Sequence, residues 1–372
     1  MSRLVVLGQS SRAACQAARK AGLDVAAADM FGDCDTLALA EEWRELAADA
    51  CGLPESQSAL DAVAALANPG DRIVLLSGFE AHPNLISAID ALAEERRAFL
   101  AGNSAETVAA VKDPANLFPA LAYLGIPFPP TRLEPPERPE GWLSKQIGGA
   151  GGAHLRTGPD ADCRDAPGPR YWQKLCAGSP ASVQVLADGK DAVILGYCDQ
   201  WTAPTDTEPY RFGGIALWRN PPSWARCAQD YAQAITRHFG LKGLNSIDLL
   251  IDDDQSPLVI EINPRPGQSL DLFGHIDDLM TLHCRACDGI LPEDALPAPP
   301  DVSAVAIAYA PLDVVVADGY PWPSEAADIP KPGSRIAASM PFATIVTHGS
   351  DIWTARQAAQ VRASHLYDAI IN

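Results

Sequence analysis

The sequence predicts an α/β protein of two or three domains. Three observations carry that prediction: a βαβ opening, a run of antiparallel strands in the middle, and an apolar hairpin whose strands hold charged residues. The length of 372 residues allows two or three domains at roughly 100–200 residues each. A hydrophobic content of 47% is enough for real cores.

The opening "RLVVLGQSSRAACQAARKAGLDVAAADMFGD" reads as strand, turn, helix, strand. Leu4–Leu7 is apolar, Gly8 turns the chain, and Ala13, Ala14, Ala17 and Ala18 line one helix face. Val25–Ala28 form the next strand, which ends at Asp29. "DRIVLLSGFE" is a further strand ending in Gly78 and Glu80, and residues 83–100 read as a helix. Residues 1–102 are therefore a small doubly wound, Rossmann-like domain. Gly8, Ser10 and Ala13 stand where a G-x-G-x-x-G loop has its glycines. Two of the three glycines are missing, so no dinucleotide is expected there.

"TVAAVKDPANLFPALAYLGIPFPP" reads as a helix stopped at Gly125, followed by a proline-rich connector. Next come "GWLSKQIGGAGGAHLR", antiparallel strands turning at Asp188–Gly189, and a helix stopped at Gly240. The hairpin "LNSIDLLIDDDQSPLVIEINPRP" follows. A second proline cluster spans residues 291–300. The tail then shows strands in "VSAVAIAYA", "DVVVADGY" and "FATIVTHG", and a helix from Ile352. The expected division is 1–102, then 103–295 with a lid over about 140–200, then a β-rich 296–372.

A net charge of −19 argues against nucleic acid or anionic membrane as partners. No apolar run reaches the ~20 residues of a membrane span, and the start is too short for a signal peptide. A cytoplasmic location with nine reduced cysteines is the expectation. His283, Cys284 and Cys287 sit among Leu279, Leu282 and Ala286 at helical spacing, which favours packing over zinc or redox chemistry.

Two stretches carry chemistry. In "SKQIGGAGGAHL", Lys145 ends a strand. Gly148, Gly149, Gly151 and Gly152 can bring backbone N–H groups onto phosphate oxygens, or simply form a flexible turn. In the hairpin, Asp248 and Glu261 come together if the strands pair about "DDDQS". Asn263 shares the face of Glu261, while Ile260 and Ile262 pack the other way. Two carboxylates and an amide oxygen are hard ligands suited to magnesium; the alternative is a strand end bonded to Arg265. Pro264 and Pro266 restrict the backbone around Arg265. Asp29, Asp33, Asp35 and Glu80 lie at or after strand ends, where open sheets bind ligands. They are ammonium-binding candidates or solvated loop acids. Tyr210 and Arg211 precede a second glycine pair and are placed to close over an acceptor.

In this order the parts resemble the ATP-grasp superfamily over about residues 1–275. "EINPR" with the upstream Asp248 is the most specific element. The tail "DIPKPGSRIAASMPFATIVTHG" resembles the end of proteins related to biotin carboxylase and the purine carboxylases. The whole is also similar to predicted ATP-dependent ligases linked to C1-carrier cofactor synthesis, and to tyramine–glutamate ligase. The resemblance implies an ATP-grasp fold and roles residue by residue. Lys112 and Lys145 would hold ATP phosphates, and Gly148–Gly152 would cover them. Gln173, Lys174 and Leu175 would meet adenine. Asp248, Glu261 and Asn263 would hold magnesium, expected as two ions. Arg265 would steady an acyl phosphate, acting with Lys145. Two positions depart from the pattern. Lys174 replaces a frequent glutamate, and no glutamate for the ribose occurs in Ser179–Ser182, where Ser182 is the remaining candidate.

The implied activity joins a small carboxylate to an amine through an acyl phosphate at the cost of ATP. Addition of glutamate to a methanofuran- or methanopterin-type cofactor is the finer expectation, with a homodimer as a compatible assembly. The alternatives are a bicarbonate-using carboxylase and a nucleotide-binding module without catalysis.

Overall fold

Short apolar strands joined by crossover helices form parallel pairs in βαβ units. The computed structural model describes every residue except 1, 2, 150, 153, 158–167 and 372. Its first sheet contains β1 (Leu4–Leu7), β2 (Val25–Asp29), β3 (Glu42–Glu45), β4 (Arg72–Leu75) and β5 (Phe99–Leu100), ordered β3-β2-β1-β4-β5. Every residue of β1 and β2 is buried, because helices cover both faces. Val5, Leu7, Ala26 and Ala28 pack with α3 (Ser56–Leu66) and α4 (Pro83–Glu95). Leu4, Val6, Val25 and Ala27 pack with α1 (Arg12–Lys20). The helix expected over 83–100 stops at Glu95. Arg97 turns the chain at φ 58°, and Phe99–Leu100 pairs with β4 instead.

The helix expected before Gly125 is two: α5 (Ala105–Lys112) and α6 (Pro114–Tyr123). Pro114 drives Asp113 out of the helical region, to ψ 113°, and the Asp113 side chain caps α6 by accepting from Ala115 N at 2.9 Å. The break leaves Lys112 as the last residue of α5, buried.

A small sheet follows, with β6 (Thr131–Arg132), β7 (Trp142–Gln146), β8 (Arg156–Thr157) and β9 (Arg170–Lys174) ordered β6-β9-β7-β8. The small sheet ends at Lys174, within the lid expected over about 140–200, and the next strands belong to the large sheet. That sheet holds β10 (Ser179–Asp188), β11 (Ala192–Thr202), β12 (Phe212–Leu217), β13 (Lys242–Ile251), β14 (Pro257–Asn263), β15 (Val302–Tyr309), β17 (Ala326–Ala327) and β19 (Pro341–Gly349). Their order is β14-β13-β10-β11-β12-β15-β19-β17. The tail thus extends the central sheet, and α9 (Ile352–Ile371) packs on β15 and β19. Of "DVVVADGY", only Val314–Val315 is extended (β16), paired with Arg335–Ile336 (β18). One face of the large sheet, with Val183, Val185, Ile247 and Leu249, packs on α6 and α7 (Ala225–Phe239). The other packs Leu186, Leu217 and Leu244 on α1 and α8 (Leu279–Cys287).

Polar ties join the parallel-sheet domain to the rest. Arg12, 1% exposed, donates from Nη2 to Asp271 Oδ2 at 2.6 Å and from Nε to Asp328 Oδ1 at 3.2 Å. Ser10 Oγ donates to the same Asp328, whose own N–H donates to Asp35 at 2.8 Å. His283 is fully buried between Leu244 N, which donates to Nδ1 at 2.9 Å, and Ala101 O, 3.0 Å from Nε2. Burial brings its pKa down to about 4, so it stays neutral. Burial pushes the Cys284 and Cys287 thiols up to about 11 and about 12. This trio is a packing and bridging element. The eight described cysteines are free; the ninth, Cys163, lies outside the described residues. Among the described residues no helix is long and apolar enough to cross a membrane.

Two predictions follow from this wiring. Replacing Arg12 with Met strands two buried carboxylates and should cost about 3–5 kcal/mol in urea denaturation. Asp33 is 5% exposed, and burial, then the charges of Asp328, Asp29 and Asp35, push its carboxyl up to about 8. Its folded pKa lies above the unfolded one, so its penalty on folding grows as pH rises from about 4 to about 8. Asp33→Asn should stabilise the fold increasingly across that window, by about 1 kcal/mol or more at its upper end. A gain that is flat with pH would contradict the burial argument.

Candidate nucleotide and metal site

Strand alternation alone would put Glu261 on the wrong face. Leu249 opposes Val259, and Ile247 opposes Ile262; all four lie in the apolar layer against α7. One residue too many, Ile260, is accommodated as a bulge opposite Asp248. Asp248 therefore pairs with Glu261, and Ser246 with Asn263, on the opposite face. The expectation that Ile260 packs with Ile262 is overturned. Ile260 borders the site cleft beside Glu261, whereas Ile262 is fully buried in the core.

A lysine and two amides hold this group together. Lys112 Nζ donates to Glu261 Oε1 and, at 2.9 Å, to Asn263 Oδ1. Asn263 Nδ2 donates to Asp248 Oδ2 at 2.9 Å, and Gln200 Nε2 to Asp248 Oδ1 at 3.3 Å. Burial would raise the pKa of Glu261, but the charges of Lys112 and Lys145 outweigh it and bring the carboxyl down to about 2. Asp248 moves the other way. Burial, then the charge of Glu261, pushes it up to about 6. Lys145 is 6% exposed and donates to Gln173 Oε1 at 3.3 Å. Burial opposes its charge, but Tyr171, Glu261 and Asp248 overcome that and raise its pKa. Among the described residues no three His, Cys, Asp or Glu side chains group as a metal site. The donor set here is two carboxylates and an amide oxygen, with a cation already seated on two of the three. Such hard oxygens fit magnesium.

The glycine loop is docked at both ends. Gly148 lies against Ala81 of the parallel-sheet domain, where an added Cβ would fall 2.5 Å from the Ala81 Cα. Gly152 lies against Tyr210, with a Cβ position 2.0 Å from its carbonyl oxygen, and Phe212 N donates to Gly151 O at 3.0 Å. Both glycines have positive φ, near 75° and 77°. Gly149 packs on the His154 ring, which also borders the cleft. Ala150, within this loop, lies outside the described residues.

The other expected residues divide. Glu80 is not an open ammonium site. It accepts from Arg265 Nε at 2.6 Å and from Gly78 N at 2.8 Å. Burial would raise its pKa, but Arg265 and then Lys112 lower it. Asp29 is fully buried and spent on the scaffold, accepting from Ser11, Gly32 and Trp43 Nε1. Asp35 holds the 328–329 backbone. Arg211 stacks 3.7 Å from the Tyr309 ring centroid and donates to Ala203 O and Ser339 O, while the Tyr210 backbone meets the glycine loop. Ser182 is buried opposite Asp248 on β10 and accepts from Gln184 Nε2. At the hinge, Gln173 is buried beside Lys145 and donates to Thr131 Oγ1. Lys174 turns toward the Trp142 ring, and Leu175 is exposed with its N–H on Gly141 O.

Sequence reading missed Gln200, Tyr171 and His154. Gln200 and Tyr171 lie in ordinary-looking strands, and only the sheet register brings them to the site. His154 had a weak signal, a lone histidine two residues after the glycines.

Loop docking yields a prediction. Gly152→Ala cannot hold the observed contact with Tyr210, so the loop should open. Affinity for MgADP by calorimetry should fall roughly tenfold or more, with the melting temperature little changed. Unaltered affinity would show that the docked loop does not contribute to binding.

Comparison with known proteins agrees with this geometry. Residues 111–269 match the family model of the ATP-grasp domain. The chain is similar to biotin carboxylase from Campylobacter jejuni in complex with β-γ-ATP, at 13% identity over 95% of this chain and 89% of that chain, with a TM-score of 0.73. It is similar to the biotin carboxylase domain dimer of Hydrogenobacter thermophilus 2-oxoglutarate carboxylase with MgADP, ADP and bicarbonate, at 14% identity over 94% and 87%, with a TM-score of 0.71. It is also similar to N5-carboxyaminoimidazole synthetase from Staphylococcus aureus complexed with ADP, at 13% identity over 97% of both chains, with a TM-score of 0.68. No curated protein sequence matches the chain. Identities this low speak to fold alone. The chain therefore carries an ATP-grasp domain over residues 111–269 and has the ATP-grasp fold, with a parallel-sheet domain ahead of it.

Proposed function

We propose that the protein is an ATP-dependent ligase that activates a carboxylate as an acyl phosphate and joins it to an amine. One observation carries this reading: Asp248, Glu261 and Asn263 converge with Lys112 and Lys145 beside a docked glycine loop, with Arg265 adjacent in the chain. Direct attack of an amine on a carboxylate would have to expel oxide. Attack of the carboxylate oxygen on the γ-phosphate releases ADP and forms an acyl phosphate. The amine nitrogen then attacks the acyl carbon, and inorganic phosphate leaves. Lys112 and Lys145 would meet the polyphosphate, and the loop N–H groups would exclude water from it. Asp248, Glu261 and Asn263 would hold magnesium, as one ion or two, and the metal would offset charge on the transferring phosphoryl group. Glu80 fixes the guanidinium of Arg265, which would steady the acyl phosphate.

A second reading is supported by the solved structures: bicarbonate as the carboxylate, giving carboxyphosphate, as the biotin carboxylase neighbours suggest. The finer proposal within the first reading is addition of glutamate while a C1-carrier cofactor is made. We place the enzyme in the cytoplasm acting on small molecules, and the dimeric neighbour makes a homodimer the assembly to test.

A mass-spectrometric screen decides among these. Glutamate and other amino acids are offered with tyramine-like amines and pterin-type acids, and ADP and amide products are followed. ADP that requires bicarbonate and no amine selects the carboxylase. Nucleotide binding without ADP from any pool would mean a non-catalytic module. Glu261→Gln removes a ligand charge and should abolish ADP release while circular dichroism stays unchanged. Undiminished turnover in that variant would sink the ligase reading.

A further inference from the structure

Lys112 occupies two of the three donors that would hold the metal. Its Nζ donates to Glu261 Oε1 and to Asn263 Oδ1, and its side chain is 5% exposed. The placement is built into the chain. The break at Asp113–Pro114 ends α5 on this residue and turns it toward the hairpin.

A divalent ion held at about 2.1 Å by these groups would sit within about 5 Å of the Lys112 ammonium, and the two cations would repel. Lys112 and the metal therefore compete for Glu261 and Asn263, and metal binding favours departure of the lysine. A buried ammonium taken from its carboxylate needs another anion. Glu80 cannot serve, because Arg265 and Gly78 hold both its oxygens. Asp248 is held by Asn263 and Gln200. The polyphosphate of an incoming nucleotide is the anion that the cleft lacks.

We infer that Lys112 makes the site selective for the metal–nucleotide complex over the free metal. Without phosphate it competes with divalent ions for Glu261 and Asn263. With phosphate it transfers to the nucleotide and frees both donors. Metal and nucleotide thus bind cooperatively, and the lysine is the element through which they are coupled. The inference rests on the nucleotide reading above. It adds an outcome that a simple phosphate-binding lysine does not give. Removing this positive charge should strengthen binding of bare metal while weakening binding of nucleotide.

The test is Mn2+ titration of the full-length protein, with free Mn2+ read by electron paramagnetic resonance, in the presence and absence of ADP. Wild type should bind Mn2+ weakly alone and much more tightly with ADP. Lys112→Met should bind bare Mn2+ more tightly, on the order of tenfold, and ADP more weakly by a similar factor. Lys112→Gln replaces it if the methionine variant does not fold, with the same expected directions. Bare Mn2+ affinity that is unchanged or reduced in a folded variant overturns the inference and leaves the ligase reading standing. Wild type that binds neither ADP nor Mn2+ together with ADP overturns both, so the two failures are distinct.

Discussion

Two carboxylates face each other across one β-hairpin, partly buried, and the site is organised around their repulsion. At cross-strand spacing of about 5 Å and an effective dielectric near 20, like charges repel by about 3 kcal/mol. The opposite shifts of Asp248 and Glu261 record how the protein divides that load. Lys112 and Lys145 stabilise Glu261 in its charged form, while Asp248 accepts from the amides of Asn263 and Gln200. A polyphosphate and a divalent ion bring charges of both signs to this arrangement. The helix break at Pro114 and the burial of Lys145 make sense as ways of delivering cations to a strand pair that requires them.

The parallel-sheet domain belongs to the same electrostatic unit. Its loop after β4 contributes Glu80 to Arg265 and, one residue on, Ala81 to Gly148. A single short segment therefore touches both the guanidinium next to the candidate metal ligands and the glycine loop. On the far side, Arg12 gathers Asp271 and Asp328, so the tail and the turn after β14 are tied to the first helix. Cleft walls drawn from three stretches of chain are held in register by buried charge pairs as well as by apolar contact.

Much of the fold was legible because it rests on local pattern: apolar strands with period two, proline breaks, and glycine stops at 125 and 240. Lys145, Asp248, Glu261 and Asn263 stood out as polar residues within or ending apolar elements, whereas Lys112 was implied only by the family resemblance. What could not be read depends on pairings far apart in sequence. Glu80 and Arg265 are 185 residues apart, and Arg12 and Asp328 are 316 apart. The same acids at strand ends read equally well as ligands or as loop acids until their partners are known. The small sheet ends at Lys174 because β10 and β11 are long strands buried in the central sheet, a fact of register that composition does not encode.

The bulge at Ile260 bears on how such a site can arise or vanish. Val259 and Ile262 are both core residues, so "VIEIN" can be laid down with the bulge at Ile260 or in strict alternation from Val259. In one, the carboxylate looks into the cleft; in the other, it would be driven into the layer against α7. Composition, strand propensity and charge are identical in both. The difference between a ligand set and a folding defect is a count of one residue between Val259 and Glu261. A hairpin of this kind tolerates substitution far better than insertion or deletion, and its length is as much a functional property as its side chains.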